Sequence, residues 1–209
     1  MFKALNRALK PKMKPGMGPI SHAKGTTFRV WAPNVQKVFV VGDFNDWSET
    51  ANPLIHEGDG YWATDVSGAK PGDKYKFLLI NGEEKLYRID PYARQVTNSV
   101  GNSVIHDPAF DWEGTENFQI PSWNELVIYE LHVGTFNAPN EGRVGTFRRA
   151  AQKLPYLREL GVNAVQVMPP MEFPGGRSWG YNLSLPFAVE SDYGGPRTFK
   201  EFIRAAHKL

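Results

Sequence analysis

Lys74-Tyr75-Lys76-Phe77-Leu78-Leu79-Ile80-Asn81-Gly82-Glu83-Glu84-Lys85-Leu86-Tyr87-Arg88 alternates, turns and alternates again. In its first half Tyr75, Phe77 and Leu79 share one face and Lys76, Leu78 and Ile80 the other, the two-residue period of a strand. Asn81 and Gly82 both accept the positive φ of a two-residue hairpin turn. The spacing therefore predicts a hairpin between Lys74–Ile80 and Glu83–Arg88, with one face packed inward and Lys76 looking out.

The same grammar extends outward from this hairpin. Thr26 to Ala32, Lys37 to Gly42, Gly60 to Val66, Lys74 to Asn81, Glu84 to Ile89 and Ser103 to His106 are short alternating runs separated by turn residues, at the spacing of a β-sandwich. Between Pro108 and Pro121 the pattern dissolves into Asp, Gly, Asn and Pro, as in a linker. Beyond it, Glu125–Phe136 reads as an apolar strand, Thr146–Leu160 as a helix, Asn163–Pro169 as a strand and Thr198–Leu209 as a helix. In the first helix Phe147, Ala150, Ala151, Leu154, Leu157 and Leu160 make one apolar stripe, and Gly161 can take the left-handed cap. A closed (β/α)₈ barrel takes about 250 residues, far more than 125–209 supply. The expected organisation is a basic flexible tail over 1–19, a β-sandwich over 20–108, a linker over 109–122, and over 123–209 a truncated α/β (TIM-type) barrel fragment of two β/α units.

Composition narrows the partners. With 24 basic and 22 acidic residues the net charge is +2, so no chain-wide field draws the protein to nucleic acid or an anionic membrane, and neutral partners fit better. The first 20 residues hold Lys3, Arg7, Lys10, Lys12 and Lys14 without an acid, but Pro11, Pro15, Gly16 and Gly18 interrupt any apolar run long enough for a signal peptide or a membrane span. The chain is read as soluble, unexported and cytoplasmic. It has no Cys, hence no disulfide framework. Aromatics reach 13%, on the high side; most are read as core and some as working surfaces.

Four motifs in order, Phe28-Arg29-Val30-Trp31-Ala32-Pro33, Gly42-Asp43-Phe44-Asn45-Asp46-Trp47, Tyr75-Lys76-Phe77 and Asp90-Pro91-Tyr92-Ala93, resemble carbohydrate-binding module family 48 over roughly residues 20 to 108. That resemblance implies an immunoglobulin-like, early-set sandwich in which Trp47 and Lys76 face a sugar. A second platform Trp usually follows the next hairpin turn; here Glu83-Glu84-Lys85-Leu86-Tyr87 has none, which leaves Tyr87 as the substitute. Trp31 and Trp62 are assigned to packing. The second half, through Ile128-Tyr129-Glu130-Leu131-His132-Val133-Gly134-Thr135-Phe136, Leu157-Arg158-Glu159-Leu160-Gly161-Val162-Asn163, Val167-Met168-Pro169-Pro170, Trp179-Gly180-Tyr181-Asn182 and Tyr193-Gly194-Gly195, resembles the start of the catalytic barrel of glycoside hydrolase family 13, the α-amylase family. Among its subfamilies the similarity points first to glycogen branching enzymes and second to maltooligosyltrehalose trehalohydrolases, the latter through Glu172-Phe173-Pro174-Gly175-Gly176-Arg177.

What the resemblance implies is an α-glucan-active parent acting on glycogen, starch or maltooligosaccharides, with Tyr181 stacking under the sugar at the cleavage point. Retaining chemistry needs two carboxyl groups about 5–5.5 Å apart. The family's catalytic Asp, Glu and Asp would follow Leu209, so no catalytic residue is assigned. Glu130 and His132 are read as structural, and Glu172, Glu190 and Asp192 as solvated loop charges. No cofactor, metal or nucleotide site is implied, since Gly175-Gly176 precedes Arg177-Ser178-Trp179 rather than a P-loop Lys. The partner beyond glucan is the remainder of the barrel. A stand-alone glycogen-binding or scaffold protein is the alternative.

Overall fold

Alternation in the first part of the chain resolves into seven strands among the described residues, 16–140 and 142–209 of a computed structural model. They are β1 (Gly18–His22), β2 (Gly25–Trp31), β3 (Lys37–Gly42), β4 (Ile55–Gly58), β5 (Tyr61–Ser67), β6 (Lys74–Asn81) and β7 (Glu84–Arg88). One antiparallel sheet runs β1-β2-β5-β4, and in the other β6 pairs with β3 on one side and β7 on the other. Thr26, Phe28 and Val30 are buried on alternate positions of β2, and the Phe28 ring meets Tyr75 of β6 edge-on at 4.9 Å between centroids, which joins the two sheets through one core. This is the β-sandwich that the alternation predicts, of the immunoglobulin-like kind that the resemblance implies. Residues 1–15 of the basic tail lie outside the described residues, and β1 starts at Gly18, within the stretch read as tail.

The hairpin forms one residue later than its sequence suggests. Asn81 pairs with Glu84, so the two-residue loop is Gly82-Glu83, and Gly82 carries the left-handed φ of +61°. Asn81 stays in the strand because a first-position glycine alone satisfies a turn of the II′ kind. The packing assignment holds for Trp62, 9% exposed with Nε1 donating to the Ala32 carbonyl at 2.9 Å, and fails for Trp31. Trp31 falls on the outward phase of β2 and is 55% exposed.

The chain divides into two compact units at Arg88/Ile89, earlier than the boundary near 108 expected from composition. The second unit opens with a short antiparallel pair, β8 (Gln95–Val96) and β9 (Ser103–Val104). Its centre is a parallel pair, β10 (Ile128–Leu131) with β11 (Ala164–Val167), joined through helices α1 (Val133–Phe136), α2 (Phe147–Ala151) and α3 (Leu154–Glu159). β12 (Met171–Glu172) then pairs antiparallel with β13 (Leu185–Val189), and α4 (Gly195–His207) follows. Phe147, Leu154, Leu157, Tyr193 and Phe202 are buried together beneath them.

Two expectations here are corrected. The strand read over Glu125–Phe136 is confined to Ile128–Leu131 and gives way to the helical turn α1. The helix read over Thr146–Leu160 is broken in two, because Pro155 in the first turn of α3 has no N–H to continue the ladder of α2. The left-handed cap at Gly161 forms as expected, and Thr146 proves to be the N-cap of α2. Thr146 accepts from the Arg149 N–H at 3.3 Å, and Gly161 at φ +92° closes a Schellman motif, with Val162 N–H on the Leu157 carbonyl and Gly161 N–H on Arg158. Thr146→Ala removes that cap and should cost about 1 kcal/mol, read as a lowered urea midpoint for the second unit with an unchanged slope.

The stretch read as a linker is held along α4. Arg204 stacks over Phe110 at 5.0 Å, donates to the Asp111 carbonyl at 2.7 Å and pairs with Glu113 at 2.6 Å. Phe118 stacks on His207 with ring centroids 4.3 Å apart.

Candidate functional site

β3 ends in a tight 3₁₀ turn, Asp43–Asn45, that aims Trp47 outward. Asn45 organises the turn by accepting from Gly42 N–H at 2.9 Å and donating Nδ2 to the Val40 carbonyl at 3.0 Å and to Asn52 Oδ1 at 2.7 Å. Trp47 N–H returns to the Gly42 carbonyl at 2.9 Å. Asp43 then uses both carboxylate oxygens, one accepting from the Trp47 indole N–H at 3.0 Å and the other from the Lys74 N–H of β6 at 2.9 Å. The indole is thereby fixed to the sheet by its polar edge, and the residue stays 36% exposed.

Asp46 and Trp47 both sit in the left-handed region, at φ +52° and +59°. For non-glycine residues this costs on the order of 1 kcal/mol each, a strain found where geometry serves a function. Two residues on, Glu49 accepts from both Lys85 and the Tyr87 hydroxyl of β7. The Lys85 bond first, and the Tyr87 bond after it, hold the Glu49 carboxyl below its ordinary range, and the same bond raises the Tyr87 hydroxyl. Tyr87 is 42% exposed. It stands opposite Leu78, one alternation from half-buried Lys76, so Lys76 and Tyr87 are diagonal neighbours on one face of β6 and β7. Of the four residues picked out by sequence, Trp47 stands on this loop, Tyr87 is tied to it through Glu49, and Lys76 neighbours Tyr87 on the sheet. Asp43, Glu49 and Lys85, which fix that arrangement, were not anticipated; the signal available was an acid four residues before Trp47 on a turn.

Tyr181, the fourth, belongs to the second unit and lies 69% exposed between β12 and β13. His132 is a fully bonded side chain at the end of β10: Nδ1 contacts Thr135 Oγ1 at 3.0 Å, and Nε2 contacts the Ser178 carbonyl at 2.9 Å and the Tyr193 hydroxyl at 2.8 Å. These groups border a cavity of about 650 Å³ that Arg143, Arg177 and Trp179 also line. Burial raises the Tyr193 hydroxyl to about 12, which keeps it protonated. Glu130 is exposed on β10.

Glu172 and Glu190 depart from expectation. Read as solvated loop charges, each is 1% exposed. Glu172 accepts from Ser191 N–H at 2.8 Å, and Glu190 from Phe173 N–H at 3.2 Å and Asp192 N–H at 3.0 Å, so the two carboxyls cross-brace the β12/β13 hairpin. Burial pushes Glu172 up to about 7 and Glu190 upward too. Among the described residues no group of three His, Cys, Asp or Glu could hold a metal ion, and no helix is long and apolar enough to cross a membrane.

Residues 16–93 match the family described as carbohydrate-binding module 48 (isoamylase N-terminal domain). The chain resembles the amino-terminal part of a glucan branching enzyme. It is 37% identical over 190 residues to malto-oligosyltrehalose trehalohydrolase of Saccharolobus solfataricus, covering 88% of this chain and 31% of that protein. It is 34% identical over 195 residues to 1,4-alpha-glucan branching enzyme of Oceanobacillus iheyensis, again covering 88% and 31%. A crystal structure assigned to an alpha amylase of Salmonella typhimurium superposes with a TM-score of 0.81 at 37% identity, over 94% of this chain and 32% of that one. The chain thus spans about a third of the length of these relatives.

Proposed function

We propose that the protein is the glucan-gripping amino-terminal portion of a branching-enzyme-like protein of carbohydrate metabolism, which transfers or hydrolyses O-glycosyl bonds, and that its first unit holds α-1,4-glucan against Trp47. The observation that carries this reading is the half-exposed indole of Trp47, fixed by Asp43 on a strained loop to which Tyr87 is tied through Glu49, with Lys76 diagonal to Tyr87 on the sheet. A pyranose ring presents C–H groups on its face and hydroxyls at its rim. The indole face takes the C–H groups, and the Lys76 ammonium donates to a hydroxyl without a counter-charge on the neutral sugar. The Tyr87 hydroxyl is already engaged by Glu49, so Tyr87 contributes ring surface.

In this reading the second unit supplies the first two β/α units of a (β/α)₈ barrel, with Tyr181 on the loop after β12 stacking beneath the sugar at the reaction centre. The catalytic carboxylates belong to later strands, and the remainder of the barrel is the partner of this half. The protein works in the cytoplasm and needs no cofactor to bind glucan. Native electrophoresis tests the proposal: migration of the purified chain should be retarded in a gel containing glycogen and unaffected by dextran, whose linkages differ. Equal migration in glycogen and in plain gel would refute it.

A further inference from the structure

Trp31 has no role in the Trp47 site, because it stands on the other sheet. Phe28 and Val30 of β2 face the core, which puts Arg29 and Trp31 on the outer face of the β1-β2-β5-β4 sheet. Trp31 is 55% exposed, yet its ring is not free to swing, since Nε1 donates to the Asp59 carbonyl at 3.1 Å. Directly opposite it across the strand pair stands Tyr61. The Arg29 guanidinium lies 4.7 Å above the Tyr61 ring and is held there by Glu57, Nε to Oε2 2.6 Å. The patch combines an immobilised aromatic face, a second ring beside it and a charge-balanced donor and acceptor pair at the rim. That chemistry suits a neutral, ring-shaped polyol. An anionic polymer would meet Glu57, and an apolar partner would have to desolvate the ion pair.

We propose that Trp31, Tyr61 and the Arg29–Glu57 pair form a second α-glucan platform, on the sheet opposite the one that carries Trp47, so that one module holds two glucan chains at once. The inference rests on the glucan-binding reading for its ligand and on separate residues for its site. Two weak sites on one rigid sandwich engage a branched polymer with an avidity of 10² or more over either alone, and they bridge polymer particles.

Glycogen-gel retardation and light scattering of glycogen suspensions, with the full chain and its Trp31→Ala, Trp47→Ala and double variants, test this. Far-ultraviolet circular dichroism checks each fold. Each single variant is expected to keep residual retardation, about a hundredfold weaker in apparent affinity, and to lose the rise in scattering caused by bridging; the double variant should migrate as in plain gel. Trp31→Tyr, which keeps a ring, should restore most of the retardation. If Trp31→Ala binds and bridges like the parent while Trp47→Ala abolishes both, the second platform is overturned and the Trp47 site stands. If Trp47→Ala is silent and Trp31→Ala abolishes retardation, there is one platform at Trp31 and the bivalent proposal is overturned along with the Trp47 site. If the parent chain is not retarded at all, both fall.

Discussion

Trp47→Ala is expected to weaken binding of short maltooligosaccharides at the Trp47 site by about thirtyfold while leaving the sandwich folded. Truncating a central Trp of a binding patch costs about 2 kcal/mol or more, and every 1.4 kcal/mol is a factor of ten. Stability should change little, since the ring is 36% exposed and the loop is held by Asn45 and by backbone bonds that do not involve the indole. A companion variant separates ring from backbone. Trp47→Gly loses the same ring but relieves the φ of +59°, so it should bind as poorly as Trp47→Ala and unfold at a higher temperature. Titration of maltoheptaose followed by calorimetry, with thermal unfolding alongside, measures both. Equal affinity in parent and Ala variant would assign the indole to packing.

The second large effect concerns acidity. Glu172, ordinarily near 4.5, is pushed up to about 7 by burial, with the charge of neighbouring Glu190 adding to the rise. A carboxyl raised in the folded state keeps a proton that the unfolded chain releases between those values. Its contribution is therefore fully present below about 4.5 and is lost as the pH rises through about 7. The span amounts to about 3 kcal/mol, at 1.36 kcal/mol per unit. Glu190 is raised as well and steepens the same slope. Glu172→Gln keeps an acceptor for Ser191 and removes the titration, so the variant should gain stability over the parent progressively from pH 5 to pH 8. His106, lowered by burial, favours the opposite slope near and below its ordinary 6.5, and the difference between parent and variant cancels it. Urea unfolding of the second unit at several pH values gives the answer; parallel curves for parent and variant would contradict it.

Local pattern carried much of the first unit. β3 and β6 lie over Lys37–Gly42 and Lys74–Asn81 as read, because alternation with β-branched and aromatic residues is a property of neighbours along the chain. The hairpin slipped by one residue because Asn81 can serve either as turn or as last strand residue, and pairing with Glu84 decides the matter. Breaks set by a single residue were overlooked, as at Pro155, where a continuous apolar stripe hides the loss of one N–H. Long-range burial was invisible. Nothing beside Glu172 in sequence shows that Ser191 will cover it, and its acidity follows from a pairing of β12 with β13 across a loop. Trp31 illustrates the converse, a large ring assigned to the core whose strand phase faces outward. At the Trp47 loop the residue types were legible, whereas the Asp43 bridge that fixes the ring needed the close approach of β3 and β6.

The central claim is that glucan is held on the face that carries Trp47, Lys76 and Tyr87. Nuclear magnetic resonance of the ¹⁵N-labelled chain during a maltoheptaose titration tests it most directly. The Trp47 indole and the backbone amides of 43–50, 74–78 and 85–88 should shift together in one saturable transition. A titration in which these signals stay still while others move, or in which none moves at millimolar sugar, would contradict it.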